Sequence, residues 1–265
     1  MYQFNYHRPE SIAAARKILD GSEEAMLLAG GMTLLPTMKL RLARPSDLVD
    51  LGGIAELQGI TNGKAAVTIG ATVCHADVAA SETVRSAVPV LADLAGRIGD
   101  PQVRNRGTLG GSVANSDPAA DYPAAVLALN AVIKTDRREI AADDWFLGMF
   151  ETALQPGEIV QSVRFPAVKR AAYAKFPNPA SRYAVVGVMV AESEDGIRVA
   201  VTGAGPCAFR AAAFEQALSD RFSADALDAL TIEPDDLNSD LHASAEYRAH
   251  LVSVMAKRAV QSAGG

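Results

Sequence analysis

Apolar runs separated by glycine- and proline-marked breaks assign most of the elements of this chain. Phe4 and Tyr6 flank a short extended start. After Pro9-Glu10-Ser11, residues Ile12, Ala15, Ile18 and Leu19 recur at helical spacing, which predicts an amphipathic helix to about Asp20. Residues 25–29 form a compact apolar run that reads as a buried strand and stops at Gly30-Gly31. Residues 33–42 look helical, Pro45 ends that helix, and 48–51 is a second short strand. Strand, helix and strand with a glycine pair after the first strand make a small α/β unit.

From Leu57 the texture changes. Gly59-Ile60-Thr61 and Val67-Thr68-Ile69-Gly70 bracket Asn62-Gly63, a strong hairpin signal. Helices are expected over 76–80, 90–98 and 123–130, with a glycine-rich stretch at 106–115 and β-like segments at 132–134 and 159–165. Residues 168–170 read as a linker. Beyond it, the β-rich runs 183–191 and 197–202 are joined by Glu194-Asp195-Gly196 and should pair as a hairpin. Short helices are expected over 210–218 and 224–230. Ser244 can N-cap a longer helix whose stripe is Tyr247, Leu251, Val254 and Met255. Hairpin plus helices suggests an α+β end domain.

Composition narrows the function. A chain of 265 residues accommodates one large or two modest domains. With 25 Lys+Arg against 31 Asp+Glu the formal charge is −6, which argues against a nucleic-acid surface. Cys74 and Cys207 are the two cysteines and neither belongs to a CxxC pair, so a four-thiolate iron–sulfur cluster cannot form within this chain. The four histidines lack ligand spacing, and no metal site is expected. The longest uncharged stretch, 25–38, is interrupted by Gly30, Gly31 and Pro36 and falls short of a membrane span. No signal core follows Met1, so a soluble, cytoplasmic protein is expected. Redox chemistry would then need an organic cofactor or a metal centre on another chain.

Two motifs carry candidate chemistry. In Leu28-Ala29-Gly30-Gly31-Met32-Thr33-Leu34-Leu35-Pro36, adjacent glycines admit close backbone approach and Thr33 can cap the following helix. Consecutive amides at such a turn favour an anion. A tight strand-to-helix turn explains the same residues with no ligand. The second motif runs from Arg104 to Pro123, where positions 107, 110, 111 and 112 should expose backbone donors. Thr108, Ser112, Asn115 and Asp121 add hydroxyl, amide and carboxylate groups. Together the two suit a dinucleotide better than either does alone. No GxSxG surrounds Ser112 or Ser116; Trp145 reads as core, and Arg137-Arg138 as a solvated turn.

The segments AGGMTLLPTMKLRLARPSDLVDL and RNRGTLGGSVANSDPAADYPAA, in that order, resemble the FAD-binding medium subunit of molybdenum hydroxylases, the carbon monoxide dehydrogenase and xanthine dehydrogenase group. The likeness continues through Pro156-Gly157-Glu158-Ile159, Phe165-Pro166, residues 180–188 and Ser244-Ala245-Glu246-Tyr247-Arg248. It implies an α+β fold: a two-part FAD-binding domain of the vanillyl-alcohol oxidase or p-cresol methylhydroxylase type over 1–169 (subdomains about 1–56 and 57–169), then a smaller C-terminal domain over 170–265. It implies FAD as cofactor, a partner small subunit with [2Fe–2S] clusters and a large subunit with the molybdenum cofactor, assembled as a dimer of heterotrimers. Electrons would pass through the FAD to an external acceptor, with no catalytic residue on this chain.

By the same resemblance, Leu28, Ala29, Gly30, Gly31, Met32, Thr33, Leu34 and Leu35 would wrap the pyrophosphate and approach the flavin. Gly107, Thr108, Gly110, Gly111, Ser112 and Asn115 would hold ribityl and diphosphate, and Asp121 would accept a hydrogen bond from the cofactor. Ile98 and Val160 would touch adenine, Lys175 would lie near the isoalloxazine, and Tyr183 would stand near the ring. Arg182 stands where xanthine dehydrogenase-like chains carry an Asp, which puts an NAD+ site of that kind in doubt, and Met32 replaces a Gln. A stand-alone flavoenzyme of the same fold and a non-catalytic, FAD-stabilised assembly subunit are the rival readings.

Overall fold

Chain order in the computed structural model, which describes residues 1–63 and 65–265, builds three main sheets and a small hairpin in succession. The first is parallel, with order β1 (Asn5–His7), β3 (Asp47–Asp50), β2 (Ala25–Leu28). Helix α1 (Ile12–Asp20) begins where the Ser11 hydroxyl accepts the Ala14 amide, and its apolar stripe covers one face of the sheet with Ala15, Val49, Leu51 and Ile54. Helix α2 (Leu34–Lys39) covers the other face through Met38, against Leu28 and Leu48. Strand β2 was expected to be buried, but it is an edge strand and Met26 is exposed. Thr33 precedes α2 without capping it; its side chain makes no cap hydrogen bond.

The second sheet is antiparallel, ordered β4 (Ile60–Asn62), β5 (Ala66–Gly70), β10 (Val160–Pro166), β6 (Val132–Thr135), β7 (Glu139–Ala141). The expected hairpin forms, but Asn62 pairs with Val67 and the Gly63 amide donates to the Ala66 carbonyl, so Asn62-Gly63 belongs to its first arm. Between β5 and β6 lie α3 (His75–Ala80), α4 (Glu82–Ala87), α5 (Pro89–Gly96), α6 (Pro101–Arg104), α7 (Leu109–Asn115) and α8 (Tyr122–Ala128). Residues 109–115 are therefore helical, whereas the sequence read as a glycine-rich loop. The Thr108 hydroxyl accepts the Gly111 amide and so offsets the low helix propensity of the two glycines. Trp145, just before β8 (Phe146–Gly148), is fully buried and donates to the Val113 carbonyl at 3.0 Å. Strand β8 closes a small hairpin with β9 (Glu151–Thr152).

The third sheet is ordered β11 (Arg170–Pro177), β12 (Ala184–Ser193), β13 (Gly196–Thr202), β14 (Phe209–Arg210). Ser193 pairs with Gly196, so the expected hairpin forms around Glu194-Asp195. Strand β12 is buried on both faces. Val186, Val188 and Val190 face a core shared with α9 (Ala212–Asp220) and α10 (Ala245–Ser262), while Met189 and Ala191 join the main core that runs back through β5, β10 and α8. That is why its sequence is a continuous apolar run. Residues 224–227 form a single 3-10 turn.

Ser244 does cap α10, accepting the Tyr247 amide. Its buried face is Arg248, Ala249, Leu251, Val252, Met255, Ala256, Ala259 and Val260, which keeps Leu251 and Met255 of the expected stripe, while Val254 is partly buried and Tyr247 exposed. Small residues at 256 and 259 let the helix lie close on the sheet. The Arg248 guanidinium donates to the Val185 and Gly203 carbonyls at 2.7 and 2.8 Å.

Candidate functional site

Both glycine motifs end in the wall of one cavity of about 610 Å³, within the usual ~300–1,000 Å³ range of ligand and cofactor sites. Their backbones touch there. A Cβ on Gly30 would sit 2.0 Å from the Arg106 carbonyl oxygen, so no other residue fits without moving one segment off the other.

The two segments offer different chemistry. Between β2 and α2, the amides of Gly30, Gly31, Met32 and Thr33 donate to no backbone acceptor among the described residues. Four successive free N–H groups at a turn form a concavity for an anion such as a diphosphate. The second segment was expected to expose its amides, but it spends them internally. Gly107 donates to Val103, Gly110 to Ala71, Gly111 to the Thr108 hydroxyl and Ser112 to Thr108. What it presents instead are side chains, those of Thr108, Ser112 and Asn115, on a helix locked to the end of β5. The absence of a Cβ at Gly110 serves that lock, because the atom would lie 2.5 Å from the Ala71 side chain. At Gly111 it would meet the Thr108 hydroxyl at 2.8 Å and approach Ala29 at 3.7 Å, filling the gap between the segments.

Ile98 and Val160 line the cavity, as do Asp121 and Tyr183. Leu35 and Lys175 stand outside it. Leu35 packs under α2 with Leu28 and Met38, and Lys175 is buried behind Asp121, its Nζ 2.8 Å from Oδ2. Tyr173 donates its hydroxyl to the other Asp121 oxygen at 2.5 Å. Burial pushes the Asp121 carboxyl upward, and the Lys175 charge with these two hydrogen bonds opposes that. Burial likewise raises the phenols of Tyr183 and Tyr173.

The sequence missed other wall residues, among them Thr72, His75, Asp117, Glu158 and Ser181, and Arg182, noted for the Asp it replaces, lines the wall as well. Glu158 is the most tightly held. Arg138, the Gln155 amide and Thr135 donate to it and, against burial, lower its pKa to about 2. Arg138 is exposed in its turn, as expected, and also anchors Glu158. His75 is almost fully buried; burial, with Arg104 nearby, lowers its pKa to about 4, and its Nδ1 has no partner among the described residues. The PGE triplet at 156–158 was visible as sequence, but only the β6–β10 register shows what Glu158 meets.

The cavity fits a flavin dinucleotide: an amide concavity for the diphosphate, a glycine-lined gap between two segments, apolar walls, and a carboxylate acceptor held by two donors. No group of three or more potential metal ligands occurs among the described residues.

Comparison with known proteins agrees in kind. Residues 2–168 match the family model "FAD binding domain in molybdopterin dehydrogenase", and 171–263 match the "CO dehydrogenase flavoprotein C-terminal domain". The carbon monoxide dehydrogenase medium chain of Hydrogenophaga pseudoflava is 36% identical, the match covering 98% of this chain and 97% of that one. The nicotine 6-hydroxylase medium subunit of Paenarthrobacter nicotinovorans is 35% identical, over 98% and 96%. A solved structure of carbon monoxide dehydrogenase from Hydrogenophaga pseudoflava superposes with a TM-score of 0.91 at 38% identity, covering 99% of this chain and 98% of that one. The chain therefore belongs to the family of FAD-binding medium subunits of molybdenum hydroxylases.

Proposed function

We propose that this chain is an electron relay: it holds one FAD in the cavity between its two glycine segments and passes electrons from the [2Fe–2S] clusters of a small partner subunit to an external acceptor. The observation that carries this reading is the row of four amides, 30–33, without a backbone acceptor among the described residues, in the wall of the same glycine-lined cavity as a capped helix. Bound there, FAD supplies two-electron redox chemistry that one-electron iron–sulfur centres can feed.

The residues of this chain bind and orient. The amides of Gly30, Gly31, Met32 and Thr33 hold the diphosphate. Gly111 leaves room for it, while Thr108, Ser112 and Asn115 reach the ribityl chain and phosphates. Ile98 and Val160 pack on the adenine, Tyr183 stands by the ring, and Asp121 accepts a hydrogen bond with Lys175 behind it. Residues 1–169 act as the FAD-binding unit, with parts about 1–56 and 57–169, and 170–265 as the C-terminal unit. A large subunit with the molybdenum cofactor oxidises the substrate, and the assembly is a cytoplasmic dimer of heterotrimers.

Flavin content of the purified chain tests the site. Wild type should retain about one FAD per chain, and Gly30→Ala should lose it, because the added methyl parts the two segments. Full flavin content in Gly30→Ala would overturn the assignment.

A further inference from the structure

Asp121 lines the cavity from the N-cap position just before α8, yet the groups that hold it come from the third sheet. Tyr173 and Lys175, two residues apart on β11, share one face of the strand and take one carboxylate oxygen each, at 2.5 and 2.8 Å. Two donors on different oxygens fix the rotation of the carboxylate as well as its position. An ion pair with Lys175 alone would leave that rotation free.

The neighbouring strand is cut to admit the phenol. Gly187 on β12 pairs with Lys175, and a Cβ at Gly187 would fall 2.2 Å from the Tyr173 hydroxyl. Arg97, just past α5, donates to the Tyr173 carbonyl at 3.1 Å, and its guanidinium stands 5.7 Å from the centre of the Tyr173 ring. The chain leading into Asp121 is tied to the same sheet, since Thr202 donates to the Pro118 and Ala120 carbonyls at 3.0 and 2.6 Å. A hydroxyl at short distance, a glycine slot for it and a fixed approach together exceed what joining two parts of the chain requires.

We propose that Tyr173 is a positioning residue for the flavin: with Lys175 it holds the Asp121 carboxyl in one orientation against the cofactor, so that the C-terminal sheet tunes the flavin's reduction potential. This rests on the reading that FAD occupies the cavity. Facing Asp121 are Lys175 and Tyr173 from β11, Arg97 after α5, Tyr122 beside it in the chain, and Tyr183 and Asp117 at the cavity wall. Burial keeps the three phenols protonated and raises the carboxyls of Asp121 and Asp117 above their ordinary values.

The test uses the FAD-loaded full chain and compares wild type with Tyr173→Phe and Gly187→Ala, the second displacing the hydroxyl without touching the cavity. Losing a hydrogen bond to the carboxylate raises its pKa. The inflection that Asp121 titration gives the flavin absorption spectrum should therefore move up by about one pH unit in both variants. At pH values between the wild-type and variant inflections the flavin midpoint potential should become more positive, because a neutral Asp121 opposes added negative charge less. Unchanged inflection and potential in variants that retain FAD overturn the positioning role. If Tyr173→Phe does not fold, Gly187→Ala decides alone; if that variant does not fold either, the pair serves stability and the role is likewise overturned. A wild-type chain that takes up no FAD contradicts the flavin reading itself, a separate failure.

Discussion

His75 and Glu158 are buried titratable groups of the cavity wall, and they give the fold two separate acid sensitivities. The His75 imidazole has its pKa lowered from 6.5 to about 4, so its burial as the neutral form stabilises fully above about 6.5 and is lost as pH falls toward 4. Glu158 is lowered from 4.5 to about 2, so its contribution is complete above 4.5 and lost as pH falls toward 2. Thermal melting of His75→Gln should show a flatter decline between pH 6.5 and 4 than wild type. Glu158→Gln should melt lower at neutral pH, because it leaves the Arg138 guanidinium short of its carboxylate, and it should flatten the limb below pH 4.5 instead. Parallel wild-type and variant curves across both windows would show that neither group governs acid stability. Neither residue could be singled out from sequence. Each owes its environment to partners 20 or more positions away, Arg138 for Glu158 and Gly107 for His75.

At the scale of elements, helix α7 shows how a weak local preference is overridden. Two glycines in its first turn argue against helix. The Thr108 cap and the anchoring of the Leu109 and Gly110 amides to the Val73 and Ala71 carbonyls supply what propensity lacks. Gly110→Ala should destabilise the chain by about 1–3 kcal/mol, read from chemical denaturation, because its methyl overlaps Ala71 in a packed region. Ser244→Ala should cost about 1 kcal/mol through loss of the α10 cap, with flavin content unchanged.

The glycine strings were legible because each is contiguous in sequence and each needs close backbone approach. Which string offers free amides was not legible, since that depends on acceptors at Ala71 and Val103 contributed by other elements. The α10 stripe was right at Leu251 and Met255 but missed Ala256 and Ala259, because no periodicity count shows which sheet the helix meets.

At the scale of the whole molecule, the three sheets are not independent. The main core runs from β5 through α8 into β12 and β13, and the segment 118–120 bonds directly to the ends of β12 and β13. The cavity is thus bounded by the glycine turn after the first sheet, the helices of the second and the loop before β12 at Tyr183. An organic cofactor held at such a junction fits the family of FAD-binding medium subunits to which the chain belongs. The most direct measurement is anaerobic flavin bleaching. The FAD-loaded chain alone should stay oxidised when mixed with the organic substrate of the co-purifying complex, and the flavin of the complex should bleach with the same substrate. Rapid bleaching of the isolated chain would contradict the relay, as would a complex turning over substrate while its flavin stays oxidised.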